Sequence, residues 1–268
     1  MIRKAAVAGH FYPGDRDELV DFLKQRLKSE GEPLPAKAIV VPHAGYPYSG
    51  SVAATVYSKV VLPRRLIILC PNHTGMGAPF AIMSEGAWET PLGEAAIDED
   101  LAARIKALAG EVEESALAHR HEHSLEVQLP FLQQLLGNDF QFVPLCLGSI
   151  EFDPLVRLGK AIAQAIAEIQ DDVLLISSTD LNHFESAEVT VLKDELAINE
   201  ILALRSRGLY ETVLHNRISM CGVAPTIAVI EAARALGASR ATLLARAHSG
   251  EVTGENGRVV GYAGIAIC

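Results

Sequence analysis

The sequence predicts an α/β sandwich: a mostly parallel central sheet with helices on both faces. Two observations carry this expectation. The runs "KAIVVP", "RLIILCP" and "DVLLISS" are apolar throughout and of strand length, as strands covered on both faces must be. Between such runs lie stretches with helical spacing of their apolar residues. No internal repeat and no linker rich in Ser, Gly or Pro divides the chain, so residues 1–268 read as one domain. At 268 residues and 49% hydrophobic composition there is ample material for one core.

The elements follow in order. Residues 16–31 place Leu19, Phe22, Leu23 and Leu27 at helical spacing, with Asp15 and Glu18 as a capping box variant and Gly31 as the stop. A strand is expected over 37–42, a helix over 49–60, a second strand over 65–71 and a shorter one over 79–85. Residues 98–110 read as an amphipathic helix, and 124–137 as a helix that Pro130 must start or kink. Next come a strand over 140–148, a helix over 153–169 and a strand over 172–178. The last third reads as helices over 188–207 and 223–236, then strands over 241–247 and 259–267. Those two strands flank "GENGR", whose Asn256-Gly257 pair suits a tight hairpin, so one edge of the sheet is expected to be antiparallel.

Charge and composition exclude several function classes. With 33 acidic against 23 basic residues the formal charge is -10, and the longest basic run is Arg64-Arg65, so nucleic acid is not an expected partner. No stretch approaches the roughly 20 apolar residues of a membrane span. The N-terminus meets Pro13 and Asp15 before a signal core can develop, which predicts a soluble cytoplasmic protein with no membrane association. Four cysteines, Cys70, Cys146, Cys221 and Cys268, stand far apart without a C-x-x-C pair, which suggests neither a zinc knuckle nor a disulfide scaffold. Cys70 and Cys146 sit inside apolar runs and read as small buried hydrophobes.

In a parallel sheet the ligand site lies beyond the carboxyl ends of the strands. His43 follows "KAIVVP", His73 follows "RLIILCP", and Asp180 and His183 follow "DVLLISS". One histidine after a strand is usually a loop residue that caps a helix or faces water. Three strands delivering imidazole or carboxylate to one sheet edge favour a cluster that binds a metal or works as acid and base. In "HRHEHSLEVQ" His119, His121 and His123 alternate before a helix, and at most one or two can point inward. His123 lies nearest the helix start, with Glu126 a turn later, and is the expected contributor; His119 and His121 stay open between loop and site. Cys221, in "SMCGVAP", precedes a helix whose dipole favours a thiolate, so it reads either as a metal ligand or reactive group or as a small buried residue. His10, His215 and His248 lack such context.

Five segments in order, "PHAGYPYSG", "PNHTG", "EHSLEVQLPFL", "SSTDLNHF" and "MCGVAPT", resemble the Memo family, the B component of the AmmeMemoRadiSam system, along the whole chain. The family's fold is similar to that of class III extradiol dioxygenases, non-haem iron enzymes that open catechol rings. The resemblance implies His43, His73 and Cys221 as ligands of one metal ion. It places Asp180, His183 and His123 in the same pocket, with His183 as the acid/base histidine. Fe(II) is the implied metal, with Cu or Zn as alternatives because a thiolate is softer than the dioxygenase carboxylate. A metal-dependent oxidoreductase acting on a small organic substrate follows as the expectation. A non-catalytic metal-binding or protein-binding module is its alternative, with AMMECR-type and radical-SAM proteins as implied partners. Ring cleavage does not follow from fold alone.

Overall fold

A computed structural model describes residues 1–28, 31–169 and 171–268. Its strands are β1 (Ile2–Arg3), β2 (Ala38–Val41), β3 (Arg65–Pro71), β4 (Phe80–Ile82), β5 (Ala87–Thr90), β6 (Gly93–Ile97), β7 (Glu113–Glu114), β8 (Gln141–Leu147), β9 (Val173–Ser178), β10 (His183–Glu185), β11 (Ala241–His248) and β12 (Val259–Ile267). The helices are α1 (Arg16–Arg26), α2 (Tyr46–Lys59), α3 (Glu99–Leu108), α4 (Ala116–His119), α5 (Leu129–Leu136), α6 (Phe152–Ala167), α7 (Ala187–Leu202), α8 (Ser206–His215), α9 (Val223–Ala235) and α10 (Gly250–Thr253). None of them is long and apolar enough to cross a membrane.

The sheet runs β1-β5-β6-β8-β3-β9-β2-β12-β10, with β11 on the outer edge of β12. β6, β8, β3, β9 and β2 are mutually parallel, and β12 returns antiparallel to β2. The period-2 alternation of strands divides the core into two layers. Ala38, Val40, Ile67 and Leu69 face α3, α6 and α9, whereas Ile39, Val41, Leu66 and Ile68 face α1, α2 and α5. All eight are fully buried. At about 1.5–3 kcal/mol for each large aliphatic side chain, this double burial is what holds the parallel strands in register.

The α/β class and the mostly parallel sheet are therefore as the apolar runs predict. Several elements differ in detail. α2 begins at Tyr46, three residues before the predicted start, because Pro47 is accepted in a first turn where its missing N–H costs nothing. Pro130 plays the same part in α5, preceded by a 3₁₀ turn over Glu126–Gln128. The single helix expected over 188–207 is two, α7 and α8, broken where Leu204 adopts a left-handed φ of 54°. A hairpin of β5 and β6 occupies 87–97, where no strand was predicted, and β10 is likewise additional. β11 and β12 do pair antiparallel at the edge, but Ser249–Arg258 is no tight hairpin: it carries α10. The predicted first helix extends across Ser29 and Glu30, which lie outside the described residues.

Candidate metal centre

β9 lies between β2 and β3, so the three strands that end in site residues are neighbours. Just past their ends, His43, His73 and His123 come together, each offering one ligand atom within 4.8 Å of the others. The imidazole centroids lie 5.2 Å apart for His43 and His73, 5.4 Å for His43 and His123, and 4.7 Å for the stacked His73 and His123. Cys221 Sγ sits 3.2 Å from His43 Nε2, and Asp180 Oδ2 3.9 Å from the same nitrogen.

Hydrogen bonding settles which nitrogen of two of these rings is free. Ser178 Oγ donates its only proton to Ser124 O at 2.6 Å and accepts from Gln128 Nε2 at 2.8 Å. At the 3.0 Å contact with His43 Nδ1 it must therefore accept, which places the proton on Nδ1 and leaves the Nε2 lone pair facing Cys221 and Asp180. His73 Nδ1 donates to the Glu122 carboxylate at 2.9 Å, again freeing Nε2. Glu122 is fully buried and accepts further from His73 N, Ser124 N and Ser124 Oγ. Burial would raise its pKa, yet the bonds from His73 and Ser124 lower it to about 2. A carboxylate behind a histidine fixes the ring and strengthens its free nitrogen as a donor to a metal.

Burial, reinforced by the neighbouring imidazoles, holds His43 well below the usual histidine range, and burial lowers His123 to about 4. Both rings are thus neutral, the form that binds a metal. Asp180 accepts the backbone N–H of His43 at 2.8 Å and of Ala44 at 3.3 Å. Burial outweighs these bonds and raises its carboxyl to about 7.

The structure brings all six predicted residues into one region, with some roles revised. His183 lines a cleft of ≈ 390 Å³ beside His123 and Asp180. It is held by Ser219: His183 Nδ1 donates to Ser219 O at 2.8 Å, and its backbone N–H to Ser219 Oγ at 2.7 Å. Burial lowers its pKa, and Nε2 is left as the unprotonated atom. Glu126 does not support His123. It pairs with Arg3 at 2.5 Å and accepts from Tyr12 Oη, tying the N-terminal segment to the core. The helix dipole does not make Cys221 a free thiolate, because burial and then Asp180 push the thiol well up. His119 is buried edge-on against Trp88, and His121 is exposed.

Glu122, Ser178 and Ser219 were missed in the sequence. The signal for Glu122 was there in "HEHS", an acid between two histidines, but nothing local says that it reaches back 49 residues to His73. Cys70 and Cys146 are fully buried, as their apolar runs predict.

An α/β protein whose parallel strand ends carry imidazoles backed by hydrogen-bond acceptors, with a thiol and a carboxyl alongside, has a donor set that could hold one metal ion. Comparison with known proteins makes this specific. The family model "Memo-like protein" matches residues 3–266, and the chain belongs to that family. It is 41% identical over 278 residues to a MEMO1 family protein of Methanopyrus kandleri, covering 99% of this chain and 98% of that one. A MEMO1 family protein of Pyrobaculum arsenaticum is 44% identical over 276 residues, covering 98% of each chain. One from Aquifex aeolicus is 38% identical over 265 residues, again covering 98% of each. Among solved structures, an uncharacterized protein from Escherichia coli K12 superposes with a TM-score of 0.58 at 14% identity, covering 85% of this chain and 98% of that one, a likeness of fold alone.

Proposed function

We propose that this Memo-family chain is a metal-dependent oxidoreductase acting on a small organic, phenolic substrate, with one Fe(II) held by His43, His73 and a third ligand. The observation that carries this reading is the convergence of imidazoles whose Nδ1 protons are already committed, to Ser178 at His43 and to Glu122 at His73. Two third ligands are on hand: His123, within the 4.8 Å cluster, and Cys221, which the family resemblance implies and which stands 3.2 Å from His43 Nε2. The donor set fits a borderline metal, and three protein ligands leave positions open for substrate.

When bound, the metal supplies a Lewis acid and an electron carrier. The chain's own groups do the rest. His183, with Nδ1–H held by Ser219 O, presents Nε2 to the cleft as the acceptor of a substrate hydroxyl proton. Asp180 keeps the first turn after β2 in place through the N–H groups of His43 and Ala44.

The Cys221 contact favours a second reading, a Cu(I) or Zn site for metal handling without turnover. Resemblance to the B component of the AmmeMemoRadiSam system supports AMMECR-type and radical-SAM proteins as associates, which co-purification would test. The deciding experiment is anaerobic purification followed by Fe, Cu and Zn quantification. About one metal per chain is expected, lost in His43→Ala and His73→Ala and kept in His183→Ala. Comparison of His123→Ala with Cys221→Ala names the third ligand. Oxygen uptake with a phenol separates turnover from storage, and failure to bind any metal after reconstitution would end the metalloprotein reading.

A further inference from the structure

The cleft in front of the centre has an outer wall that the proton-transfer scheme does not use. Phe11, Tyr48 and Tyr262 line it from three different parts of the fold, and Phe184 stands at its mouth. Phe184 is 62% exposed, uncommon for a ring of that size, and its backbone is left-handed at φ 62°. An L-residue other than Gly, Asn or Asp is strained there, and such strain persists only where surrounding structure imposes it. The imposing contacts are visible: the preceding residue is bonded to Ser219 through both its backbone N–H and its ring, and β10 shifts register against β12 between His183 and Glu185. An aromatic ring is thus held in the open, beside His183 at a centroid distance of 5.5 Å.

Arg258 supplies the second observation. Its guanidinium carbon lies 5.5 Å from the Phe184 ring centroid, on the lining of the same cleft. Among the described residues it has no carboxylate partner at ion-pair distance, and Glu255, which also lines the cleft, does not pair with it. Asp180, 3.9 Å from His43 Nε2, lines the same cleft, so a cation and a carboxyl share an aromatic-lined slot. A planar guanidinium with free donors recognises a carboxylate through two parallel hydrogen bonds. Aromatic walls recognise a flat ring by offset or edge contacts.

We propose that the cleft selects a flat aromatic carboxylate, with Arg258 gripping its carboxylate, Phe184 covering its ring, and its opposite end directed at His183 Nε2. The inference rests on the reading that this cleft receives a small organic substrate, and it narrows that substrate to an aromatic acid. It does not require the metal, because neither Arg258 nor Phe184 belongs to the candidate ligand cluster.

The test is calorimetric titration of metal-free and metal-loaded protein with 4-hydroxybenzoate and its uncharged analogue 4-hydroxybenzamide. The acid is expected to bind at least about tenfold more tightly than the amide in both forms. Arg258→Gln should erase that preference and leave amide binding unchanged. Phe184→Asn, which tolerates the left-handed backbone and so keeps the fold, should weaken both ligands several-fold. Equal affinity for acid and amide in the unsubstituted protein would overturn the proposal. So would a preference that survives Arg258→Gln, or one seen only with metal, which would assign the carboxylate to the metal ion. Metal content measured on the same samples separates the two readings: a protein that prefers the acid but binds no metal sinks the metal centre and leaves the aromatic-acid cleft standing.

Discussion

The two walls of the cleft are built on opposite principles. The inner wall, with His43, His73 and Asp180, grows from parallel strands, and buried acceptors on neighbouring segments hold it: Glu122, and Ser178, which Gln128 Nε2 in turn bonds. The outer wall, with His183, Phe184 and Arg258, grows from β10 and the segment before β12, is largely exposed, and contains a strained residue. Preorganisation by satisfied buried networks suits a metal, whose ligands must not move. An exposed wall suits a group that must meet and release a substrate. If the cleft works as proposed, metal affinity and substrate choice are separately alterable in this fold.

Four measurements sharpen or break that comparison. The largest effect is expected behind the outer wall, at Asp194, which is buried, accepts the N–H of Asn182 at 2.9 Å and is raised by burial to about 7. A carboxyl whose folded pKa lies above its unfolded value of about 3.9 keeps full stability below that value. It loses stability as pH rises towards 7, here by about 4 kcal/mol. Asp194→Asn preserves the acceptor and should abolish this share, so that the stability difference between pH 4 and pH 8 in chemical denaturation is about 4 kcal/mol smaller than in the unsubstituted chain, leaving the Asp180 share.

Gly222→Ala comes next. An added Cβ would meet the Thr179 side chain and the Ser178 carbonyl, the latter a backbone atom of the inner wall that cannot yield. A loss of about 3 kcal/mol in denaturant unfolding is expected, together with weakened metal retention. If the variant proves neutral, the inner wall is not rigid.

Glu122→Gln keeps the shape and removes the charge behind His73. Metal affinity, measured by competition with a chelator, should fall about 10- to 100-fold. Ser178→Ala, which replaces only a neutral acceptor behind His43, should cost less. The reverse order would mean that the thiol side, not the carboxylate side, dominates binding.

The smallest effect is expected at Ser219→Ala, on the outer wall. It deprives the His183 N–H of its partner at an exposed position and should cost about 1 kcal/mol in thermal unfolding while leaving metal content intact. Loss of metal in this variant would show that the two walls are coupled after all.

Much of the inner wall was legible in the sequence because it obeys a local rule. Strands buried on both faces read as unbroken apolar runs, and in a parallel sheet whatever follows them lands on one edge, so His43, His73 and Asp180, and beyond them His183 of the outer wall, could be picked out by position. Glu122 and Ser219 could not, since each acts on a histidine at least 36 residues away and nothing in its own neighbourhood records that contact. The same holds for Glu126, whose place near His123 in the chain suggested a partnership that Arg3 and Tyr12 claim in the fold. The β5–β6 hairpin escaped notice because "AWETPLGEAAI" has Pro91 and Gly93 in its turn and too few apolar residues on either side to show a period.

By itself, then, the chain's hydrophobic pattern determined the α/β class, a mostly parallel sheet and the delivery of candidate ligands to one edge, because burial and period act over a few residues at a time. Only the tertiary structure decided which nitrogens of His43 and His73 face their hydrogen-bond partners, that Cys221 is buried beside His43, and that Phe184 and Arg258 stand together on the cleft. Those outcomes depend on desolvation and on hydrogen bonds between segments far apart in the chain, and both exist only once the sheet has closed around them.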